Sequence, residues 1–206
     1  MAQPLNRNCW LPQLGEIDHE AGEFWVENPF VMQQRGMNLS AFERNRLYLN
    51  RRGVDFIDAS FAGAVDLDAD SRSVIAADFD RDGANDLLVG SAGGGPLRLF
   101  LNRFQHRGRS VLLNLVGVES NRAGIGARVI VECASNKIVR DAFPANGFMG
   151  QGPAELLIGV GTAETIDKLS VRWPTGETQG FANLPVDAAI SITEGQPNAQ
   201  TRVVIP

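Results

Sequence analysis

The sequence predicts a mainly β protein in which a propeller-blade-like unit is followed by a small β-sandwich or barrel. The chain has 22 glycines and 10 prolines among 206 residues, which indicates many tight turns between short strands. Several short apolar segments are separated by turn residues, as in sandwiches and barrels. A six-residue pattern also recurs 52 residues further along the chain, and repeats of this length are typical of propeller blades and related arrays.

Changes in periodicity and composition divide the chain into four predicted segments. Residues 1–40 have weak periodicity and are predicted to form an N-terminal arm. Residues 41–105 contain the repeated pattern and are predicted to form the blade-like unit. Residues 106–195 are predicted to form the second β domain, and residues 196–206 a C-terminal tail.

The repeated pattern is Arg-Leu-Tyr-Leu-Asn-Arg at residues 46–51 and Arg-Leu-Phe-Leu-Asn-Arg at residues 98–103. Both copies have the same order of polar, aliphatic and aromatic positions. Even the smallest propellers need about four blades, so this unit cannot close a ring by itself. We therefore expect its strand edges to be covered by the C-terminal domain, by other chains or by a preceding region.

The segment between the two copies contains the strongest chemical signal, the sequence Asp-Phe-Asp-Arg-Asp-Gly-Ala-Asn-Asp at residues 78–86. Ca²⁺ takes six to eight oxygen ligands, and side chains at alternate positions of a curling loop can converge on one ion. Gly83 permits the sharp turn at position 6. The predicted ligands are the carboxylates at positions 1, 3, 5 and 9 and the carbonyl at position 7, namely Asp78, Asp80, Asp82, Asp86 and Ala84.

Two other interpretations of residues 78–86 compete with a calcium loop. An EF-hand requires glutamate at position 12, where this chain has Val89, and the short apolar flanks at 73–77 and 87–90 are typical of strands. An acidic surface turn without an ion is the remaining alternative, although its aspartates would repel one another. Residues 66–71 have Ser71 where glycine is needed, so they are predicted to form a polar loop, with a secondary cation site as the alternative.

The second domain is predicted from short apolar segments separated by turns. The segments lie at residues 110–118, 127–132, 156–160, 166–173 and 188–192. Their length and spacing favour a small sandwich or barrel.

Composition limits the classes of partner. The net charge of −5 argues against nucleic acid as a partner, and no run of 18 apolar residues is present that could span a membrane. The first residues lack the apolar segment of an export signal, so the chain is expected to be either cytoplasmic or a form from which the signal has been removed. Cys9 and Cys133 could form one disulfide or remain two buried thiols.

Two sets of residues resemble known families. Residues 78–86 with the strands before them resemble the FG-GAP or VCBS repeat. Residues 120–129, Ser-Asn-Arg-Ala-Gly-Ile-Gly-Ala-Arg-Val, together with residues 171–176, Val-Arg-Trp-Pro-Thr-Gly, resemble the ASPIC/UnbV domain. The combination is similar to the cartilage acidic protein-like family over about residues 40–195, although Ile-Gly-Val-Gly at 158–161 differs from the usual Phe-Gly-Leu-Gly.

The resemblance implies an extracellular or periplasmic calcium-binding β protein, and the family has no common reaction. Its metal ligands carry over to Asp78, Asp80, Asp82, the Ala84 carbonyl and Asp86. We therefore expect a calcium-stabilised structural or interaction module. The alternatives are a calcium-dependent enzyme, a hydrolase or a cyclase with a spatially assembled site, and a subunit of an oligomer or filament joined through open strand edges.

A protein or an acidic glycan is the expected partner if the arginines have a binding role, and a solvated face is the alternative. The arginines concerned are Arg44, Arg46, Arg51, Arg52, Arg103, Arg107 and Arg109. The sequence has no G-x-S-x-G nucleophile motif, because Val89 stands where its first glycine would be. No catalytic residue is predicted.

Overall fold

The protein is described by a computed structural model that covers residues 44–51, 53–67, 71–91, 96–104, 108–134, 136–147 and 150–203. The described residues fall into two compact units. The first unit consists of those within Met1–Arg72 and Val89–Arg98, and the second unit of those within Ser73–Leu88 and Leu99–Pro206. The predicted arm at 1–40 and Cys9 lie outside the described residues.

Strands account for all the regular secondary structure of the described residues, and no helix occurs among them. In chain order the first strands are β1 (Tyr48–Arg51), β2 (Asp55–Asp58), β3 (Ser71–Ala77), β4 (Asp86–Ser91) and β5 (Arg98–Phe100). They are followed by β6 (Arg109–Val116), β7 (Arg128–Cys133), β8 (Asn136–Asp141), β9 (Ala145–Asn146), β10 (Gly150–Gln151), β11 (Leu156–Gly161), β12 (Thr165–Arg172), β13 (Thr178–Pro185), β14 (Ala188–Thr193) and β15 (Gln200–Val203). The prediction of a mainly β protein is confirmed. In the part of the chain described, no helix is long and apolar enough to cross a bilayer.

The second unit contains two open four-stranded sheets. Their strand orders are β11-β6-β14-β15 and β13-β12-β7-β8. Strands β6 and β14 run parallel, and the other neighbours in these two sheets run antiparallel. Because both sheets are open, they form a sandwich and not a closed barrel.

One apolar core lies between these sheets. On β6 the side chains of Val111, Leu113 and Leu115 are buried and alternate with more exposed positions, so one face of the strand points inward. Leu169 on β12 and Ile190 on β14 belong to the same buried cluster. Full burial of each such side chain stabilises a fold by about 1.5–3 kcal/mol, which makes this cluster the main source of stability for the sandwich.

The sequence pattern missed three strands of the sandwich, β8, β13 and β15. Strand β8 reads Asn-Lys-Ile-Val-Arg-Asp and is exposed at every position except Ile138, so it shows no apolar alternation. Strand β15 lies in the segment predicted as a tail and pairs with β14 as an edge strand. Edge strands carry polar residues on both faces, and their sequences therefore resemble loops.

The blade-like prediction is confirmed only as β structure. Strands β1 and β2 form an antiparallel hairpin, and β3, β4 and β5 form a three-stranded sheet in that order. A propeller blade is a four-stranded sheet, whereas the described strands β1 to β5 form one two-stranded and one three-stranded sheet. The two copies of the repeated pattern nevertheless share one feature: the side-chain oxygens of Asn50 and Asn102 each accept a backbone N–H that follows, from Gly53 and Phe104 respectively.

Candidate metal centre

The acidic loop connects β3 to β4 and is shaped by two residues with positive φ angles. Gly83 has φ of 83°, as the turn prediction requires, and Arg81 has φ of 59°. The left-handed conformation of Arg81 was not predicted, because arginine has no preference for it. The Asp78 carboxylate accepts the N–H groups of Asp82 at 3.0 Å and Gly83 at 2.9 Å, and so holds this turn closed.

Asp86 is the fully buried acid of the loop and the first residue of β4. One of its oxygens accepts the N–H of Phe79 at 2.9 Å, which joins the two ends of the loop. The other accepts the N–H of Asn102 at 2.7 Å. A further hydrogen bond from the Asn102 side chain to the Asn85 carbonyl, at 3.1 Å, holds the segment after β5 against the loop.

Three of the predicted ligands converge. Asp78, Asp80 and Asp86 each place one carboxylate oxygen within 4.8 Å of those of the other two. A carboxylate oxygen has about two lone pairs, so the N–H groups already bound to Asp78 and Asp86 leave acceptor capacity on them. Three hard oxygen donors at this separation fit a calcium ion, whose ligands lie at about 2.3–2.6 Å.

The other two predicted ligands are placed differently. Asp82 is not one of the three acids that meet; one of its oxygens accepts the N–H of Ala84 at 3.1 Å and the other a hydrogen bond from Arg103 at 3.2 Å. Ala84 is buried directly after the turn. The ligand roles of all five residues stay predictions.

Arg103 provides a positive charge at this site that the sequence did not predict as part of it. Its Nη1 lies 2.8 Å from an oxygen of Asp80 and 3.2 Å from one of Asp82. Arg103 is the last residue of the second copy of the repeated pattern, and it follows Asn102, which is bonded to Asp86. The guanidinium thus contacts two of the predicted ligand carboxylates.

A cavity of about 290 Å³ lies beside the loop, within the second unit. Asp78 and Asn85 contribute to its wall, as do Glu155 and the exposed Phe143. The remaining lining comes mostly from small and aliphatic residues near β3, β6 and β11. The cavity therefore places an aromatic ring and a second acid, Glu155, in the same pocket as Asp78.

A second site built around a carboxylate lies directly after β14, at Glu194. This side chain is buried, and one oxygen accepts three consecutive N–H groups, from Val118 at 2.8 Å, Glu119 at 2.9 Å and Ser120 at 2.8 Å. Its other oxygen accepts the hydroxyls of Ser120 at 2.8 Å and Thr175 at 3.2 Å. We call this group the Glu194 clamp.

Two opposing effects act on the pKa of Glu194. Burial by itself raises it, but the hydrogen bonds from Ser120, Val118 and Glu119 outweigh burial and lower the pKa to about 2. The carboxylate is therefore charged at neutral pH and is stabilised there by neutral donors.

The clamp joins the two motifs that carried the ASPIC/UnbV resemblance. Ser120 lies in the first motif and Thr175 in the second. In the first motif, Gly124 has φ of 63°, and a β-carbon there would come within 2.7 Å of the Leu115 side chain, so glycine is required by both backbone and space. In the second, Trp173 is buried and donates its indole N–H to Gln179.

Other shifted pKa values have ordinary structural causes. Burial, with the nearby Asp167, raises the pKa of the Cys133 thiol, which is free and buried and hence a poor nucleophile. The hydrogen bonds between Arg128 and Asp141, at 2.7 and 2.9 Å, lower the pKa of the acid and raise that of the arginine.

The fold and the site define a β-sandwich protein with an acid-rich loop. Residues 117–199 match the family described as ASPIC and UnbV, so the chain contains an ASPIC/UnbV domain. The matched residues begin just before the first motif and include both motifs and the Glu194 clamp. No curated protein matches the chain.

Sequence reasoning missed Glu194 and Arg103. A signal existed for Glu194: the buried positions Ala188, Ile190 and Ile192 alternate along β14, and residue 194 continues that alternation. Polar residues on a buried face need partners, which marks the glutamate as a hydrogen-bonded group. Arg103 had no comparable signal, because its contacts join segments 21 residues or more apart.

Proposed function

We propose that this protein is a calcium-stabilised structural or interaction module in which the ion orders the loop at residues 78–86. The observation that carries the proposal is the convergence of carboxylate oxygens from Asp78, Asp80 and Asp86 within 4.8 Å. Calcium would be held by these acids, with Asp82 and the Ala84 carbonyl as the further ligands. The ion neutralises the loop and thereby stabilises the strands on either side of it.

The position of the loop supports a role in folding. Asp86 already connects the loop to Asn102, so an ion bound to Asp86 would restrain the segment after β5 as well as the β3–β4 connection. Extracellular calcium modules bind with dissociation constants of about 10⁻⁴–10⁻³ M, which suits a compartment rich in calcium. The cavity beside the loop provides a concave surface next to the ordered site, and a protein or glycan partner stays a prediction.

Thermal unfolding tests this proposal. At about 10 mM calcium, a site of that affinity adds about 1.4–2.7 kcal/mol to the free energy of unfolding. For a domain of this size this corresponds to a rise of about 3–11 °C in the midpoint relative to chelator. Asp80→Asn is the matched variant and should lose the response. An unchanged midpoint in the unmodified protein would contradict the proposal, and an equal rise with magnesium would contradict calcium selectivity.

The loop and its strands also support an FG-GAP or VCBS-like repeat in a cartilage acidic protein-like chain. The acid spacing at residues 78–86 and the ASPIC/UnbV match at 117–199 occur in the order that this family would have. Such a protein would be located outside the cell or in the periplasm. Fractionation of the source cells tests the location, and recovery of the protein only with the cytosol would contradict it.

Self-association is a second candidate, favoured by the exposure of the β1–β2 hairpin. Val54 is 78% exposed, Phe56 66% and, just after β2, Phe61 is 89% exposed. A two-stranded hairpin is marginally stable by itself, and exposed apolar side chains of this size favour a contact with another surface. Sedimentation at two concentrations tests this candidate. A constant monomer mass would contradict it, and a Phe56→Ser, Phe61→Ser double variant should reduce any association.

The alternative of a calcium-dependent hydrolase or cyclase stays a prediction.

A further inference from the structure

We propose that Arg103 is a built-in competitor for the metal ion, whose guanidinium occupies two ligand carboxylates and must leave them when calcium binds. This inference rests on the proposed calcium site and adds a means of setting its affinity. The contacts that carry it are those from Nη1 of Arg103 to Asp80, at 2.8 Å, and to Asp82, at 3.2 Å.

Repulsion between the two positive charges disfavours their simultaneous binding at Asp80. A guanidinium remains charged at all ordinary pH values and donates hydrogen bonds to carboxylate oxygens. Calcium needs oxygen lone pairs directed at it and repels a positive charge held beside the same carboxylates. Arg103 can therefore neutralise the acids when calcium is scarce, and the bound ion repels its guanidinium from Asp80.

The neighbouring residue, Asn102, has contacts that add no positive charge to the site. The backbone N–H of Asn102 donates to Asp86 at 2.7 Å, and its side chain donates to the Asn85 carbonyl at 3.1 Å. Neither contact uses a carboxylate of Asp80 or Asp82. Calcium binding should therefore release the Arg103 side chain while the segment that carries it remains attached to the loop.

The exposure of Arg103 sets the size of the effect. Its side chain is 62% exposed, so solvent screens the ion pair and the guanidinium can leave at modest cost. Removal of the competing charge should tighten calcium binding about 2- to 10-fold. Because the pair is exposed, its removal should also leave the protein folded.

Calcium titration by calorimetry tests the inference. Arg103→Gln should bind about 2- to 10-fold more tightly than the unmodified protein, and Arg103→Lys, which keeps the charge, should bind nearly as the unmodified protein does. Arg109→Gln is the matched control, since Arg109 is also exposed and paired with an acid, Asp187, at 3.3 Å. Its calcium affinity should not change.

The outcomes separate this inference from the proposed function. Equal or weaker binding by Arg103→Gln would overturn the competition while leaving the calcium site in place. The competition would be supported if Arg103→Gln alone bound calcium more tightly than the unmodified protein, or if only this variant showed binding. Absence of binding by every variant, Arg103→Gln included, would overturn the calcium site and the competition together.

A spectroscopic readout follows the displacement itself. In the unmodified protein, the NMR signal of the Arg103 Nε–H should shift on calcium addition toward that of a solvated arginine, with the same midpoint as the calorimetric titration. The Arg109 signal should stay constant and serves as the internal reference. An Arg103 signal that stays constant while calcium binds would contradict the displacement.

Discussion

The acidic loop and the Glu194 clamp both use carboxylates to hold a loop by its backbone N–H groups, but they differ in how their charge is balanced. Glu194 is a single acid surrounded by three N–H groups and two hydroxyls. The loop has four acids within nine residues, and carboxylate oxygens of three of them lie within 4.8 Å of one another. Arg103 forms ion pairs with Asp80, which is one of these three, and with Asp82.

This difference explains why only one of the two sites is expected to need an ion. Neutral donors are sufficient for one buried charge, and the low pKa of Glu194 reflects this. Several carboxylates held together repel one another, and backbone N–H groups reduce that repulsion without adding a positive charge. A cation is then the remaining means of neutralising the loop, supplied by Arg103 or by a metal ion.

Removal of the clamp should have the largest effect. In Glu194→Ala five hydrogen bonds lose their acceptor, so the loss of stability should exceed that of any substitution in the acidic loop. Glu194→Gln keeps one oxygen and should be less destabilising. Urea unfolding in chelator measures both. If Glu194→Ala proved as stable as the unmodified protein, the clamp would be an unimportant contact.

Within the loop, Asp86 should stabilise the fold even without calcium, whereas Asp80 should act mainly through the ion. Asp86→Ala leaves the N–H groups of Phe79 and Asn102 without their acceptor and should cost about 2–3 kcal/mol even in chelator. Asp80→Asn breaks only a contact with the exposed Arg103 and should cost about 0–1 kcal/mol in chelator. Urea unfolding with and without calcium separates the two, and equal costs in chelator would contradict this division.

The pH dependence of stability should distinguish the clamp further. The pKa of Glu194 falls from 4.5 to about 2 on folding, so its contribution is complete above about pH 4.5 and is lost as the pH falls toward 2. Glu194→Gln should lack this part of the acid destabilisation. Unfolding free energies measured from pH 5 to pH 2.5 provide the check, and parallel curves for the two proteins would show that Glu194 does not titrate in this way.

Much of the fold could be predicted from the sequence, because buried strands leave a pattern. Strands β6 and β14 have alternating apolar residues, and they are neighbours in one sheet of the sandwich, with the alternating side chains in the core. Strands β8 and β15 are edge strands, and their polar sequences carry no such pattern. The choice between sandwich and barrel depends on long-range pairing, as in the parallel contact of β6 with β14, which no local pattern specifies.

The candidate site was predicted in its local part only. The acid spacing predicted that the carboxylates of Asp78, Asp80, Asp82 and Asp86 and the Ala84 carbonyl would converge within this nine-residue loop, and three of the acids do so. Asp82 does not join them, and the contact that holds it comes from Arg103, 21 residues away. Contacts of that kind depend on the fold and not on spacing.

The most direct test of the central claim is a crystal structure grown with calcium and measured at a wavelength where calcium scatters anomalously. An anomalous peak should appear among the carboxylates of Asp78, Asp80 and Asp86, with ligand distances of about 2.3–2.6 Å. Arg103 should have moved away from Asp80. Absence of a peak at the loop in saturating calcium, with Arg103 still in contact with Asp80, would contradict the claim.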